Sequence, residues 1–310
     1  MSYLALFLIW MLANLVIAPW VLERTRKEMD SAARRDAPGG FAELPSGLTH
    51  YQWHGVGRGP VVVMVHGLTS PSWVFQALIP HLTRFGFHIL TYDLYGRGYS
   101  DRVAGAQDES FHVAQLEELL DALDIADQEI SLFGYSMGGS IATAYAARHP
   151  EQIDRLMLLA PAGMHYHPGP LLNWVRDKGR LGDWLWGALG AWQLRRTALA
   201  ETDEVAIHDL PERMVAETQN RGYLRAILSS ERHMLSQSQE ANHRAIAKTP
   251  IAVISVWGEE DSVIPLSSIG KLTEWNRRAY KYQIAGAGHG IGYSHPDAVA
   301  MALQEHLREV

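Results

Sequence analysis

Residues 132–150, "LFGYSMGGSIATAYAARHP", set a serine among glycines at the point where an apolar run gives way to a helical pattern. Residues 129–133 read as a short buried strand and 137–148 as an Ala-rich helix, with Ser136 in the turn between them. Gly134, Gly138 and Gly139 flank the serine, so the chain can take a strained strand-to-helix turn and the helix can pack closely. Gly134-Tyr135-Ser136-Met137-Gly138 fits G-x-S-x-G, the nucleophile-elbow pattern that lifts a hydroxyl above a sheet edge and a helix N-terminus. A glycine-rich turn with a serine helix cap fits the same five residues, so the rest of the chain must decide.

Outward from this turn, strand and helix patterns alternate from about Leu48. "THYQWHG" reads as an edge strand, and "VVVMVHG" (61–67) is a continuous apolar run of the kind buried on both sheet faces. "FHILTYD", "EISLFGYS", "RLMLLAP", "IAVISVWGEED" and "KYQIAGAGHG" repeat the short apolar strand that ends in polar or glycine residues. Helical spacing fills the intervals, as in "WVFQALIPHLTRFG", "ESFHVAQLEELLDALD" and "SSIGKLTEWNRR", and a last helix begins at "PDAVAMALQEHLREV". The pattern predicts an α/β fold with a mostly parallel eight-stranded sheet and helices on both faces. Function in such sheets gathers beyond the carboxyl ends of the strands. From about Pro161 to Lys248 no strand pattern interrupts the helical spacing, and Trp174, Trp184, Trp186 and Trp192 sit among Leu and Ala. This predicts core at 48–160 and 249–310, with 161–248 a helical cap over the strand ends.

Composition narrows the chemistry. The chain has 310 residues, 47% of them hydrophobic, enough for one large core. A formal charge of -7 without a long basic run argues against a nucleic-acid partner. Cysteine is absent, which removes disulfides, thiolate zinc sites and thiol catalysis, and the 15 histidines show no metal-ligand spacing. No metal and no organic cofactor are expected.

The N-terminal stretch "YLALFLIWMLANLVIAPWVL" (3–22) carries no charge and only Asn14 as a strongly polar group. Its length, about 20 residues, suits a helix crossing a hydrocarbon core of about 30 Å. Residues 1–24 are therefore expected to be a membrane anchor and 25–47 a juxtamembrane linker. A signal peptide fits less well, since no basic segment precedes the apolar run. Arg24, Arg26, Lys27, Arg34 and Arg35 follow the run, which leans the following domain towards the cytoplasmic side of a single-pass inner-membrane protein. The oligomeric state is left open, a homodimer included.

A serine hydroxyl needs a base to take its proton, and the base needs a carboxylate to fix its tautomer. Downstream, "WGEEDSVIP" puts Asp261 after one strand, and "AGAGHG" puts His289 after the next, both at the same sheet edge as Ser136. Glu259 and Glu260 compete with Asp261, and His295 competes with His289, although His295 stands at the start of the last helix. The backbone amides of Met137 and of Leu68, in "HGLTS", are the expected oxyanion donors.

Taken together, His66-Gly67, "YDLYGRGYSD" (93–101 within it, with Asp93, Gly96, Gly98 and Ser100), the elbow at Ser136, Asp261 in a G-x-x-D context and His289 resemble the α/β-hydrolase superfamily, in its order, from Leu48 onward. The apolar segment ahead of such a domain resembles membrane-bound monoacylglycerol lipases, lysophospholipases and phospholipases A. The resemblance implies a carboxylic ester hydrolase with catalytic Ser136, Asp261 and His289, a lipid ester as substrate and a fatty acid as product. On this view the Trp-rich cap lines an acyl pocket. Small soluble esters, or carbon–carbon bonds of ring-cleavage products, are the alternative substrates.

Overall fold

The computed structural model describes residues 3–200 and 205–307. Within them, strands β1 (Gly40–Leu44), β2 (Gly47–His54), β3 (Val61–Val65), β4 (His88–Tyr92), β5 (Ile130–Tyr135), β6 (Ile153–Leu159), β7 (Ala252–Gly258) and β8 (Tyr280–Ile284) form one sheet. Their spatial order is β1-β2-β4-β3-β5-β6-β7-β8. Strand β2 runs antiparallel to both neighbours, and every pair from β4 to β8 is parallel. The chain order reverses direction around β3, so the ends of β3 and β5 flank the crevice where such sheets place their sites.

The helices are α1 (Tyr3–Thr25), α2 (Ile79–Arg84), α3 (Glu109–Ala122), α4 (Met137–Arg148), α5 (Pro170–Val175), α6 (Gly179–Leu199), α7 (Leu210–Glu217), α8 (Tyr223–Arg232), α9 (Glu240–Ile246), α10 (Ser267–Trp275), α11 (Ile291–Ser294) and α12 (Pro296–Leu307). Alternation along the strands divides the core between the two faces. Val61, Val63 and Val65 of β3 pack with Leu116 and Leu120 of α3 and Ile141 of α4, whereas Val62 and Met64 join Leu82 of α2 and Leu303 of α12. This is why the run "VVVMV" is apolar at every position rather than at every second one.

Three segments differ from the sequence expectation. Residues 25–47 are not a loose linker: Gly40–Leu44 pairs with β2 as the edge strand, Lys27 bridges Asn220, and Arg34 donates to Tyr99 O and Asp101. The Lys27 and Arg34 contacts depend on partners more than sixty residues away, which a local pattern does not reveal. The stretch "WVFQALIPHLTRFG" splits into a 3-10 turn, Ser72–Phe75, and α2, because Pro80 lacks an amide hydrogen and is suited to the first turn of a helix. At the end of the expected cap, α9 packs against α4, and its Ile246 belongs to the same core cluster as Ile141. Helices α5 to α8 make up the rest of the expected cap.

Helix α1 is long and apolar enough to cross a membrane, and Pro19 is its only buried residue. Its C-terminal half is not isolated. Trp184 Nε1 donates to the Val16 carbonyl at 2.8 Å, and a Cβ at Gly187 of α6 would stand 3.0 Å from Pro19 Cβ.

Three buried histidines shape the pH dependence of this fold. Burial lowers the pKa of His66 and of His243 to about 4 and pushes His112 well below its usual value. Their folded-state pKa values lie below the unfolded ones, so the unfolded chain binds more protons between about pH 6.5 and 4. Stability is therefore retained above that window and falls through it, by up to about 1.4 kcal/mol per pH unit for each histidine. Thermal unfolding followed by circular dichroism from pH 7 to pH 4 should show this steep fall. His243→Leu should flatten it, because both His243 ring nitrogens lack a hydrogen-bond partner.

Candidate active site

Ser136 stands between the last residue of β5 and the first of α4 with φ 54° and ψ -119°, backbone that an L-residue rarely adopts. The turn is tight because α4 crosses close over the end of β3. A Cβ at Gly138 would lie 2.0 Å from the Val65 carbonyl oxygen, and one at Gly134 would lie 2.5 Å from that of Gly138. The two glycines of the motif thus remove side chains where backbone meets backbone, and the strained residue between them is the serine.

The structure brings Ser136, His289 and Asp261 together. His289 Nε2 lies 3.0 Å from Ser136 Oγ, and His289 Nδ1 lies 2.8 Å from Asp261 Oδ2. The other Asp261 oxygen accepts from the Val263 and Ile264 amides, each at 2.8 Å, which fixes the carboxylate plane. Asp261 is buried, while the His289 side chain keeps 22% of its surface exposed. Tyr135 O–H donates to the His289 carbonyl at 3.0 Å and so ties the histidine loop to the elbow. Glu259 and Glu260 are exposed, with their amides bonded to Ile284 O and Ala287 O, and they do not join this array. His295 packs at the α11–α12 boundary, its Nδ1 at 2.9 Å from Ser294 Oγ.

Leu68 lies beyond the end of β3, and Met137 is the first residue of α4, whose leading amides have no acceptor within the helix. The Leu68 loop is held from two sides. The buried Arg97 donates from Nε to Leu68 O at 3.0 Å, and Tyr223 O–H of the cap donates to Thr69 O at 2.9 Å. Burial lowers the Arg97 pKa to about 9, and its remaining donors reach Tyr95 O, Gln107 and Ser230 of α8. Beneath the loop, Asp93 accepts from His50 Nδ1, from the Ser72 amide and hydroxyl and from the Tyr99 amide. Burial alone would raise the Asp93 pKa, but the His50 hydrogen bond and charge outweigh it and hold the carboxyl at about 2. His66, buried and neutral, accepts from the Leu94 amide through Nε2, leaving Nδ1–H to donate to Gly67 O.

The cap tryptophans meet different surroundings. Trp186 is buried, donating to Leu224 O, and belongs to a cluster of Leu172, Val175, Tyr223 and Ile227 against which Leu68 packs. Trp184 turns to α1, and Trp174 and Trp192 are exposed. Sequence reading missed Tyr135, which fills a variable position of the elbow pattern. It also missed Arg97, His50 and Tyr223, whose roles arise from contacts across the fold. Arg97 alone left a signal, as the charged residue inside "YDLYGRGYSD".

Comparison with known proteins shows the family of the fold. Residues 60–296 match the family of the α/β-hydrolase fold, and the chain belongs to that family. The chain is 28% identical over 267 residues to the 2-hydroxymuconate semialdehyde hydrolase of Pseudomonas sp. (strain CF600), covering 83% of this chain and 89% of that one. It is 28% identical over 261 residues to the pimeloyl-[acyl-carrier protein] methyl ester esterase of Chromobacterium violaceum (strain ATCC 12472), covering 81% and 96%. Among solved structures, a bacterial membrane phospholipase A shares the fold with a TM-score of 0.70 at 21% identity, over 99% of this chain and 98% of that one.

Two substitutions probe the supports of the site. Tyr135→Phe removes one hydrogen bond, worth about 0.5–1.5 kcal/mol, and should lower kcat/KM on a short ester by roughly 2- to 10-fold while the fold persists. Arg97→Met should lower both turnover and the thermal midpoint, because buried acceptors lose their donor, and Arg97→Lys should not restore them, lacking the planar fork. Steady-state kinetics with thermal unfolding on the same samples checks both.

Proposed function

We propose, from the premise that this chain is an α/β hydrolase, that it is a membrane-anchored serine hydrolase cleaving carboxylic esters of lipids. The observation that carries the chemistry is the relay from Ser136 Oγ through His289 to Asp261, at 3.0 and 2.8 Å. Ser136 Oγ attacks the ester carbonyl carbon as His289 Nε2 takes its proton, and Asp261 stabilises the imidazolium through Nδ1–H. The Met137 and Leu68 amides donate to the oxyanion, each worth about 100- to 1,000-fold in rate. His289 then protonates the leaving alcohol, and water, activated by the same base, releases the fatty acid. No metal or organic cofactor enters these steps.

Two features support a lipid ester. Residues 3–22 form an apolar helix suited to a single membrane span, and that helix packs against the cap instead of trailing on a linker. The likeness to a membrane phospholipase A extends over 99% of the chain, so it takes in the α1 segment. The basic residues after the span favour a cytoplasmic placement of the catalytic domain. A second reading, a hydrolase of small esters or of carbon–carbon bonds in ring-cleavage products, draws on the 28% identity to a 2-hydroxymuconate semialdehyde hydrolase.

A substrate panel separates the readings: p-nitrophenyl esters of graded chain length, monoacylglycerol, lysophospholipid and a ring-cleavage product. The expected outcome is a preference for the lipid esters, with Ser136→Ala losing roughly three orders of magnitude or more in kcat and all labelling by a fluorophosphonate. Asp261→Asn should be far more damaging than Glu259→Gln or Glu260→Gln. Preferred turnover of the ring-cleavage product would establish the second reading, and near wild-type turnover by folded Ser136→Ala would remove the serine mechanism altogether.

A further inference from the structure

We propose that the cap helix α6 lies in the lipid–water interface of an anionic bilayer, so that the cap as well as the anchor is a membrane-contacting element. This rests on the reading of α1 as a membrane span and extends it to a surface that the apolar segment alone does not define.

The first argument is depth. The charge-free run 3–22 is about one hydrocarbon thickness long, so Leu22 marks its edge, with Glu23 and Arg24 the first charges beyond it. Val16 lies six residues inside that edge, about 9 Å at 1.5 Å per residue. Trp184 of α6 donates its indole N–H to the Val16 carbonyl, and Gly187 of α6 packs on Pro19. A tilt of about 20° changes the depth by less than about 1 Å. Further hydrogen bonds hold the contact: the Gly222 amide donates to Glu23, Lys27 N donates to Gln219 O at 2.9 Å, and Arg221 N donates to Lys27 O at 2.8 Å. With α1 spanning, α6 cannot remain clear of the bilayer, and its depth falls in the roughly 5–10 Å range of interfacial helices.

The second argument is the surface of α6 itself, which has three distinct sides. Gly182, Trp186, Gly190 and Ala198 are buried against the protein, and Trp184 and Gly187 meet α1. The remaining side carries Leu181, Leu189, Trp192 and Leu199, spaced by eight, three and seven residues, which keeps them on one side of a helix, and exposed by 56, 42, 56 and 67%. An apolar stripe of this extent facing water is unusual for a soluble surface. Basic groups border it. Arg196 lies over the Trp192 ring at 5.7 Å and Lys178 over the Trp174 ring at 5.6 Å, while Arg180 and Arg195 are exposed nearby. Asp183, the acidic residue of α6, is paired with Arg232. Aliphatic stems laid along aromatic rings with their charges outward suit anionic headgroups above buried apolar side chains. A cleft of ≈ 1000 Å³ between α1 and the cap, lined by Trp20, Leu181, Trp184, Leu224 and Leu228 among others, opens on the same region.

The absence of cysteine makes the test specific, since each introduced thiol is the only one. The full chain, reconstituted in nanodiscs of phosphatidylglycerol and phosphatidylcholine, is labelled with an environment-sensitive fluorophore at Leu189→Cys, Trp192→Cys, Met11→Cys or Val56→Cys. Val56 is 85% exposed and precedes β3, at the sheet edge opposite Ser136. Leu189 and Trp192 labels should show blue-shifted emission and roughly twofold or more stronger quenching by shallow acyl-chain nitroxides than the Val56 label. A quenched Met11 label beside Leu189 and Trp192 labels that match Val56 would overturn the interfacial cap while leaving the anchor in place. A Met11 label left unquenched by nitroxides placed deep in the acyl chains would overturn the anchor and this proposal together.

Discussion

Ser136 can hold φ 54° only because the crossing of β3, β5 and α4 leaves it no relaxed alternative. The Val65 and His66 carbonyls stand where a Cβ on Gly138 would be, within 2.0 and 2.6 Å, and the Gly138 carbonyl blocks a Cβ on Gly134 at 2.5 Å. The sheet and the first turn of α4 therefore fix where the hydroxyl points, and the strain is maintained by burial of both elements. The loops after β7 and β8 bring Asp261 and His289 to that fixed point. Conformational freedom at the serine would separate it from His289, so the close backbone packing is the precondition for everything the site does.

A second, polar framework orders the surroundings of that turn. Asp93 gathers His50, Ser72 and Tyr99 under the Leu68 loop, and Arg97 carries the order upward to Leu68 O on one side and to Ser230 of the cap on another. Both charges are buried, which is costly unless their hydrogen-bonding capacity is filled. Asp93 meets that condition with four protein donors and Arg97 with acceptors on three different segments. Their contribution is geometric. They specify one position for the loop that the apolar core beneath it would leave adjustable.

Local patterns made much of this legible. The glycines around Ser136, the five-residue apolar run of β3 and the polar residues at strand ends each report a nearby constraint, so the sheet, the elbow and the residues meeting at it could be read in advance. The edge strand Gly40–Leu44 was missed because an edge has one hydrogen-bonded neighbour and a half-exposed surface, which weakens its apolar signature. Tyr135, Arg97 and Tyr223 were missed for a different reason: their partners lie 154, 29 and 154 residues away in sequence. The surroundings of the cap tryptophans were not legible, because apolar residues in helical spacing show that a side is apolar without showing what covers it.

What covers each side of the cap links location to chemistry. Residues 219–223, the turn after α7 and the first residue of α8, join three parts of the protein within five positions. Gln219, Asn220 and Arg221 pair with Lys27, and the Gly222 amide binds Glu23 at the end of α1. Tyr223, the next residue, donates to Thr69 O in the loop that presents the Leu68 amide. One short turn thus connects the apolar N-terminal helix to the loop beside Ser136 by hydrogen bonds and packed side chains, with no flexible tether between them. A displacement of α1 relative to the cap must therefore be absorbed at this turn or passed to the Thr69 loop. Gly222 takes φ 84° there, and Arg102 Cγ lies 2.6 Å from where a Cβ would stand, so the turn is closed at a position that only glycine fills without strain. The end of α1 and the loop beside Ser136 thus share one set of hydrogen-bonded contacts, made by adjacent residues of the same turn.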